Sequence, residues 1–321
     1  MISAVSVIVP VYNVEKYIEK CARSLFEQAL EDVEFIFVND GTPDSSMSVL
    51  RSVLEDYPQR APFVKIVEKA RNEGLPAARR TGLGYATGEY VAHCDSDDWV
   101  EPGYLSEMYA MAKEHAADAV ACRYFENDRE IPSRFDPDGR VRFSDLIAAK
   151  EMVSVWRFLF RRELYSKDII FPEANQGEDQ ALVVQLAYYS NDILVVDKPL
   201  YHWRVNMESI TRNPSAEAVS RRFGGACANT ELVESFLERE GIGEKYAAPL
   251  TALKLYSKFY MRPLLRQGEG IDAFRKAFPE IKGHVLFNKE INFVHKIEYF
   301  VAMYCPASII MILYKWRKSS R

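Results

Sequence analysis

The chain has 321 residues, 48% of them hydrophobic and 27% charged, the composition of an ordinary globular protein with one large domain or two. Its formal net charge of -5 lacks the strongly basic footprint of a nucleic-acid binder, so phosphate groups must be handled locally. Five scattered cysteines (Cys21, Cys94, Cys122, Cys227, Cys305) form neither CxxC pairs nor a disulfide framework, and a reducing cytosol is the simplest reading.

The opening MISAVSVIVPVYN lacks a basic leader and a small-residue cleavage site, and reads as a first strand. Through residue 125 short β-rich runs alternate with helical patterns. Strands are expected at 5 to 11, 33 to 39, 63 to 69, 89 to 95 and 118 to 125, with helices near 14 to 28, 44 to 56, 74 to 86 and 103 to 116. That order predicts an α/β fold, a Rossmann-like, mostly parallel sheet covered by helices with right-handed crossovers. Residues 126 to 145 are polar and rich in Pro, Asp and Arg, and read as a loop or hairpin. VSVWRFLFRREL (153 to 164), a Gly-Glu-Asp turn at 177 to 179, the helical run QALVVQLAYYS and the strand DILVVDKP follow, and from about 215 the pattern is helical.

The run YFVAMYCPASIIMILY, from Tyr299 to Tyr314, falls short of the roughly 20 residues that span a bilayer and is broken by Pro306. It reads either as a core or docking helix or as an interfacial anchor, with Trp316 at the headgroups and Lys315, Arg317, Lys318 and Arg321 toward anionic lipid.

Ligands of such sheets bind outside the carboxyl ends of the strands. Pro10, Tyr12 and Asn13 follow the first strand, Asn39 and Asp40 the second, and HCDSDDWVEP (93 to 102) brings Asp95, Asp97 and Asp98 after the fourth. Clustered carboxylates repel one another, and a divalent cation relieves this; a few oxygen ligands suit Mg²⁺ or Mn²⁺ when substrate phosphates complete the shell. A calcium loop fails on spacing, because Val100 and Ser106 stand where Gly and Glu are required. Helix capping accounts for one aspartate of the three. Glu178 and Asp179 fit either a functional pair or first-turn acids favoured by a helix dipole. No GxxxxGK[ST], HExxH or GxSxG occurs; GLGYATG closes a helix rather than opening one, and His115 and His284 lack ligand spacing.

The order of these motifs resembles glycosyltransferase family 2, inverting sugar transferases of the GT-A fold, over most of the first 215 residues. SVIVPVYNVEKYIEKCARSLFEQ is similar to the family's opening strand and helix, and FIFVNDGTPDSS to its second strand and V-D-D-G-S-T-D pattern. NEGLPAARRTGLGYATGEYVAHCDSDDWVEPGYL resembles the N-x-G-x-x-x-A-R-N-x-G segment leading to the D-x-D motif, and GEDQALVVQLAYYSNDILVVDKPLYHWRVNMESIT the Glu-Asp region. Departures are Asn39 for a common Asp, Arg80 for Asn, and Phe158 for a frequent Lys that bears on acceptor or phosphate contacts.

The resemblance implies a GT-A catalytic domain over 1–215, divided into a nucleotide-sugar half (1–125) and an acceptor half (126–215). A helical region (216–321) follows, whose tail at 296–321 is the segment that either docks on the protein or associates with membrane. It implies a UDP-linked sugar donor held by Pro10, Tyr12, Asp40, Asn72, Gly74, Arg79 and Asp95, a metal on Asp97 and Asp95, and Asp179 as base with Glu178 orienting. His202 and Arg204 are candidate phosphate or loop contacts. The acceptor would be a glycan or lipid-linked saccharide in cell-surface polysaccharide synthesis, and the enzyme cytoplasmic, peripheral on the inner membrane face. A sugar nucleotidyltransferase is the competing reading, although PVYNVEKY lacks a glycine-rich triphosphate loop; a non-catalytic nucleotide-binding module is the other.

Overall fold

The structure, a computed structural model, describes residues 3–132, 140–205 and 214–319. The chain divides into two compact units. The first comprises Met1–Phe143, Glu151–Glu173 and Leu182–Asn206; the second comprises Ser144–Lys150, Ala174–Ala181 and Met207–Arg321.

The first unit is built on one sheet. Its strands are β1 (Val5–Val11), β2 (Val33–Asn39), β3 (Val64–Glu68), β4 (Tyr90–His93), β5 (Trp99–Val100), β6 (Ala119–Glu126), β7 (Arg129–Glu130), β8 (Phe158–Arg161) and β9 (Ile193–Trp203). The spatial order is β3-β2-β1-β4-β8-β6-β9-β5, with β7 paired to β6. β3, β2, β1 and β4 run parallel, with Val5 opposite Val33 and Tyr90. β8 enters antiparallel to both β4 and β6, and β6 pairs parallel with β9. All seven residues of β1 are buried, as expected of a central strand covered on both faces. The covering helices include α1 (Ile18–Phe26), α2 (Ser46–Glu55), α3 (Leu75–Leu83) and α4 (Tyr104–Glu114). α1 shows how the pattern works: Ile18, Cys21, Ala22 and Leu25 recur at helical spacing and are fully buried on the sheet. Ile18 and Leu25 each contribute at most about 1.5–3 kcal/mol by leaving water, and the smaller Ala22 less. The expected loop at 126 to 145 includes the β6–β7 hairpin and the start of α5 (Phe143–Ile147); residues 133–139 lie outside the described residues.

At the amino ends of these strands a buried carboxylate ties three segments together. Glu34 accepts from Ser6 Oγ (2.6 Å), Lys65 Nζ (2.8 Å), Thr87 N and Oγ1 (2.6 and 2.9 Å) and Gly88 N (3.1 Å). Burial alone would raise its pKa, but the bonds from Lys65, Ser6 and Thr87 outweigh that and bring it down to about 2. Gly88 is required by close approach, since a Cβ there would meet Ser6 N at 2.6 Å.

Helix α6 (Glu178–Tyr189) begins in the second unit, and its part from Leu182 belongs to the first. The second unit continues with α7 (Ala216–Arg239), α8 (Ala247–Lys258), α9 (Arg262–Leu265), α10 (Ile271–Lys276), α11 (Phe293–Tyr304) and α12 (Ala307–Ser319). Side-chain caps start two of them: Ser215 accepts from Ala218 N at 3.2 Å, and Asn292 from His295 N at 2.9 Å. Phe259, Phe274, Ile281, Tyr299, Ile310 and Tyr314 form part of the core. Pro306 divides the apolar run 299 to 314 between α11 and α12, and among the described residues no helix is long and apolar enough to cross a membrane. The side chains of Lys315, Trp316, Arg317 and Lys318, and all of Arg321, lie outside the described residues.

Candidate active site

Carboxyl-end loops of β1 and β2 are stitched together by bonds between side chains and backbone. Asn13, held at φ 56°, donates its N-H to Thr42 Oγ1 (2.8 Å), and Val14 N donates to Ser46 Oγ (3.0 Å). Asp44 accepts from Glu15 N (2.9 Å), Thr42 Oγ1 (2.7 Å) and Ser46 Oγ (2.6 Å); burial opposes ionisation, but these bonds prevail and lower its pKa. Pro10 is buried on β1, whereas Tyr12 is 37% exposed beyond it. Asn39, the departure from the family's Asp, accepts from Thr42 N (2.8 Å) and donates to Glu68 (2.5 Å), so it serves the turn.

Asp40 is 3% exposed and receives Gly74 N (2.9 Å), Glu73 N (3.1 and 3.2 Å) and Lys69 Nζ (2.7 Å). Burial would lower the Lys69 pKa, but the Asp40 and Glu73 carboxylates raise it. Asn72 Oδ1 also accepts from Gly74 N (3.0 Å). Gly74, at φ 94°, then opens α3. Gly41 has no alternative, because its φ is 67° and a Cβ would lie 2.8 Å from the Arg71 carbonyl carbon.

Arg79, 2% exposed on α3, places Nη2 2.7 Å from Asp95 Oδ1. β4 ends at His93, two residues earlier than expected, so Asp95 stands on the loop with its side chain 27% exposed. The three aspartates separate in role. Asp98 is 1% exposed and points inward, accepting from Tyr201 Oη (2.8 Å) and Arg204 N (2.7 Å). Burial first, then the Asp97 and Asp95 charges, push the Asp98 pKa well above the carboxylate range. Tyr201 Oη in turn accepts from Asp95 N (3.0 Å), and Arg204 Nε donates to the Asp97 carbonyl at 2.9 Å. Asp97 is half-buried at the turn so defined.

Arg204 also lies over Trp99 (4.8 Å) and Tyr17 (5.0 Å), and Lys20 Nζ sits 3.2 Å from the Trp99 centroid. Burial and then the Arg204 charge lower the Lys20 pKa. His202 is stacked between Trp99 (4.7 Å) and Phe125 (4.3 Å), with Nε2 2.6 Å from Glu101. It packs the strand end, whereas Arg204 carries its charge over Trp99 beside Lys20.

Glu178 and Asp179 open α6 within the second unit. Glu178 is 7% exposed and Asp179 half-buried, in the first turn of the helix. The loop before them is anchored: Asn229 Nδ2 donates to the carbonyls of Ala174 (2.8 Å) and Gln176 (2.9 Å), and Gln176 Nε2 to Tyr260 Oη (2.9 Å). Phe158 is fully buried against Phe160, so the expectation that this position bears on acceptor or phosphate contacts is corrected to core packing. Arg80 lies over Phe171 at 5.6 Å.

Sequence reasoning assigned no role to Lys69, Asp44, Tyr201 or Lys20. Asp44 stood inside the quoted FIFVNDGTPDSS, but Tyr201 had no local signal, since its partners lie more than a hundred residues away.

Among the described residues no three His, Cys, Asp or Glu side chains form a metal cage. Asp95 and Asp97 nevertheless fit a hard cation that keeps most of its shell for phosphate oxygens and water. The nearby softer donors are engaged elsewhere: His93 is buried against Tyr165 (3.1 Å), and Cys94 lies 3.9 Å from Cys21.

A curled, largely parallel sheet with acidic loops at its carboxyl edge, followed by helices, is the GT-A glycosyltransferase architecture. Residues 6–177 match the family model for glycosyl transferase family 2. The chain is 32% identical over 238 residues to the uncharacterized glycosyltransferase EpsJ of Bacillus subtilis (strain 168), covering 70% of this chain and 67% of that protein. Two solved structures share the fold. S. aureus TarS 1-349 in complex with UDP-GlcNAc has a TM-score of 0.59 and 19% identity, covering 99% of this chain and 92% of that one. The mannosyltransferase PcManGT from Pyrobaculum calidifontis, in complex with GDP-Man and Mn²⁺, has a TM-score of 0.61 and 17% identity, covering 97% and 88%. The chain belongs to glycosyl transferase family 2 and is a glycosyltransferase.

Proposed function

We propose that this glycosyltransferase moves a sugar, with inversion, from a UDP-linked donor to a hydroxyl of a glycan or lipid-linked saccharide. The setting would be cell-surface polysaccharide synthesis at the inner face of the membrane, with residues 1–215 as the catalytic domain. One observation carries the reading: Asp95, paired with Arg79 of α3, and the Arg204-held Asp97 turn lie on the loop after β4, in the same unit as Asp40 and at the carboxyl ends of its parallel strands.

Asp40, tied to the Asn72–Gly74 turn, would present the pocket for base and ribose together with Pro10 and Tyr12. Asp97, with Asp95, would hold Mn²⁺ or Mg²⁺, which when bound supplies Lewis-acid stabilisation of the departing diphosphate. Mn²⁺ in the complex of PcManGT supports that choice. Arg79 orients Asp95, and Arg204 and Lys20 add positive charge for the phosphates. Breaking an acetal linkage develops oxocarbenium character, so the carboxylate that takes the acceptor proton acts mainly by position. Asp179 is the proposed base and Glu178 its orienting neighbour.

The test is a screen of UDP-glucose, UDP-galactose, UDP-N-acetylglucosamine, UDP-glucuronate and GDP-mannose for nucleoside diphosphate release, each with Mn²⁺, Mg²⁺ or EDTA. Turnover of one UDP-sugar that EDTA abolishes is expected. Turnover of a sugar phosphate plus a nucleoside triphosphate, with release of pyrophosphate, would replace the proposal with a nucleotidyltransferase.

A further inference from the structure

Helix α11 has apolar side chains on two sides. Tyr299 and Ala302 are buried in the second unit's core, whereas Phe293, Ile297, Phe300 and Tyr304 are 74%, 43%, 47% and 47% exposed. Spacings of four, three and four residues put these four on one helix face. Just ahead of the helix Leu286 and Phe287 are exposed as well, Phe287 at 87%. Four exposed apolar side chains on one helix face mark an interaction surface.

Charge indicates what covers it. From Ile281 to Arg321 the sequence holds seven Lys and Arg and only two acidic residues. Both acids are neutralised within the second unit: Glu298 by Arg262 (2.5 and 2.8 Å) and Glu290 by Lys150 (2.7 Å). Two of the bases accompany the apolar face, with Lys282 Nζ 5.3 Å from the Tyr304 ring and Lys296 within one turn of both Phe293 and Phe300. Exposed aromatic and aliphatic side chains with neighbouring lysines match the interface of an anionic bilayer. A second copy fits less well, because a two-fold contact would set like charges against one another.

We infer that the outward face of α11, with Phe287, docks on an anionic lipid surface by shallow insertion. This rests on the peripheral-membrane part of the proposed function, but replaces the tail around Trp316 with a defined surface. It is independent of the donor chemistry.

The experiment is co-sedimentation of the full chain with vesicles of phosphatidylcholine alone or mixed equally with phosphatidylglycerol. Binding about tenfold or more stronger to the anionic vesicles is expected, falling in high salt. Phe293→Ser/Ile297→Ser/Phe300→Ser should lower anionic-vesicle binding about tenfold or more while keeping the far-UV circular dichroism and the rate of donor hydrolysis. Lys289→Glu/Lys296→Glu should remove most of the preference for anionic lipid. Retained hydrolysis separates a failure of docking from a failure of the transferase reading. Equal vesicle binding by the triple variant, or by neither protein, would overturn the inference. So would lipid-free self-association that the triple variant abolishes, which would assign the face to a second copy.

Discussion

The two ends of one sheet treat carboxylates in opposite ways. At the amino ends, Glu34 is saturated by donors from Ser6, Lys65, Thr87 and Gly88, and its side chain is 6% exposed. At the carboxyl ends, Asp95 gives one oxygen to Arg79 and stays 27% exposed, and Asp97 is positioned through its backbone carbonyl by Arg204. Satisfaction by the protein itself marks an acid that holds the fold together. An acid on a fixed loop whose side chain is still partly exposed suits the ligand role proposed for Asp95 and Asp97. Asp98, the next residue after Asp97, belongs with Glu34 in kind, because its oxygens serve Tyr201 and Arg204.

The largest expected effect sharpens that contrast. Asp97→Ala should reduce metal-dependent release of nucleoside diphosphate by about 10³-fold, while the unfolding midpoint stays near that of wild type. Initial rates and thermal melts check both halves. Next, Asp179→Asn should lower kcat by about 10²- to 10⁴-fold with little change in donor KM, read from steady-state rates with acceptor present. An unchanged kcat would remove Asp179 as base.

Glu34→Gln should do the reverse, sparing turnover and reducing stability by about 1–3 kcal/mol at pH 7, measured by urea unfolding. The folded-state pKa of Glu34 is depressed from 4.5 to about 2, so its stabilisation is present above pH 4.5 and lost as pH falls toward 2. The variant's deficit should therefore shrink between those values. The smallest effect is expected from Tyr201→Phe, which removes the hydroxyl between Asp95 N and Asp98. A loss of about 1–2 kcal/mol and a several-fold higher metal requirement should follow, checked by unfolding and a Mn²⁺ titration.

Much of the sheet was legible in the sequence because its signal is local. VSVIVPV and VEFIFVN are runs of β-branched and aromatic residues, and they became β1 and β2 with unchanged ends. The acidic cluster after β4 was legible for the same reason. What stayed hidden depends on distant partners. Nothing within HCDSDDWVEP tells Asp98 from Asp97; the difference is made by Tyr201 and Arg204 from β9 and the residue beyond it. His202 read as a candidate contact because its stacking neighbours Trp99 and Phe125 come from other strands. The apolar run 299 to 314 reads as a single docking helix or anchor, because it is continuous apart from Pro306, and this hides that two helices with separate faces share it.

The central claim is that the Asp95–Asp97 turn holds a sugar nucleotide through a divalent cation. Calorimetric titration of UDP into wild type and Asp97→Ala, each with Mn²⁺ and with EDTA, tests it most directly. Binding by wild type with Mn²⁺ alone, lost in EDTA and in the variant, is the predicted result. UDP binding that is equal in all four titrations would contradict it and leave those aspartates to the loop's own structure.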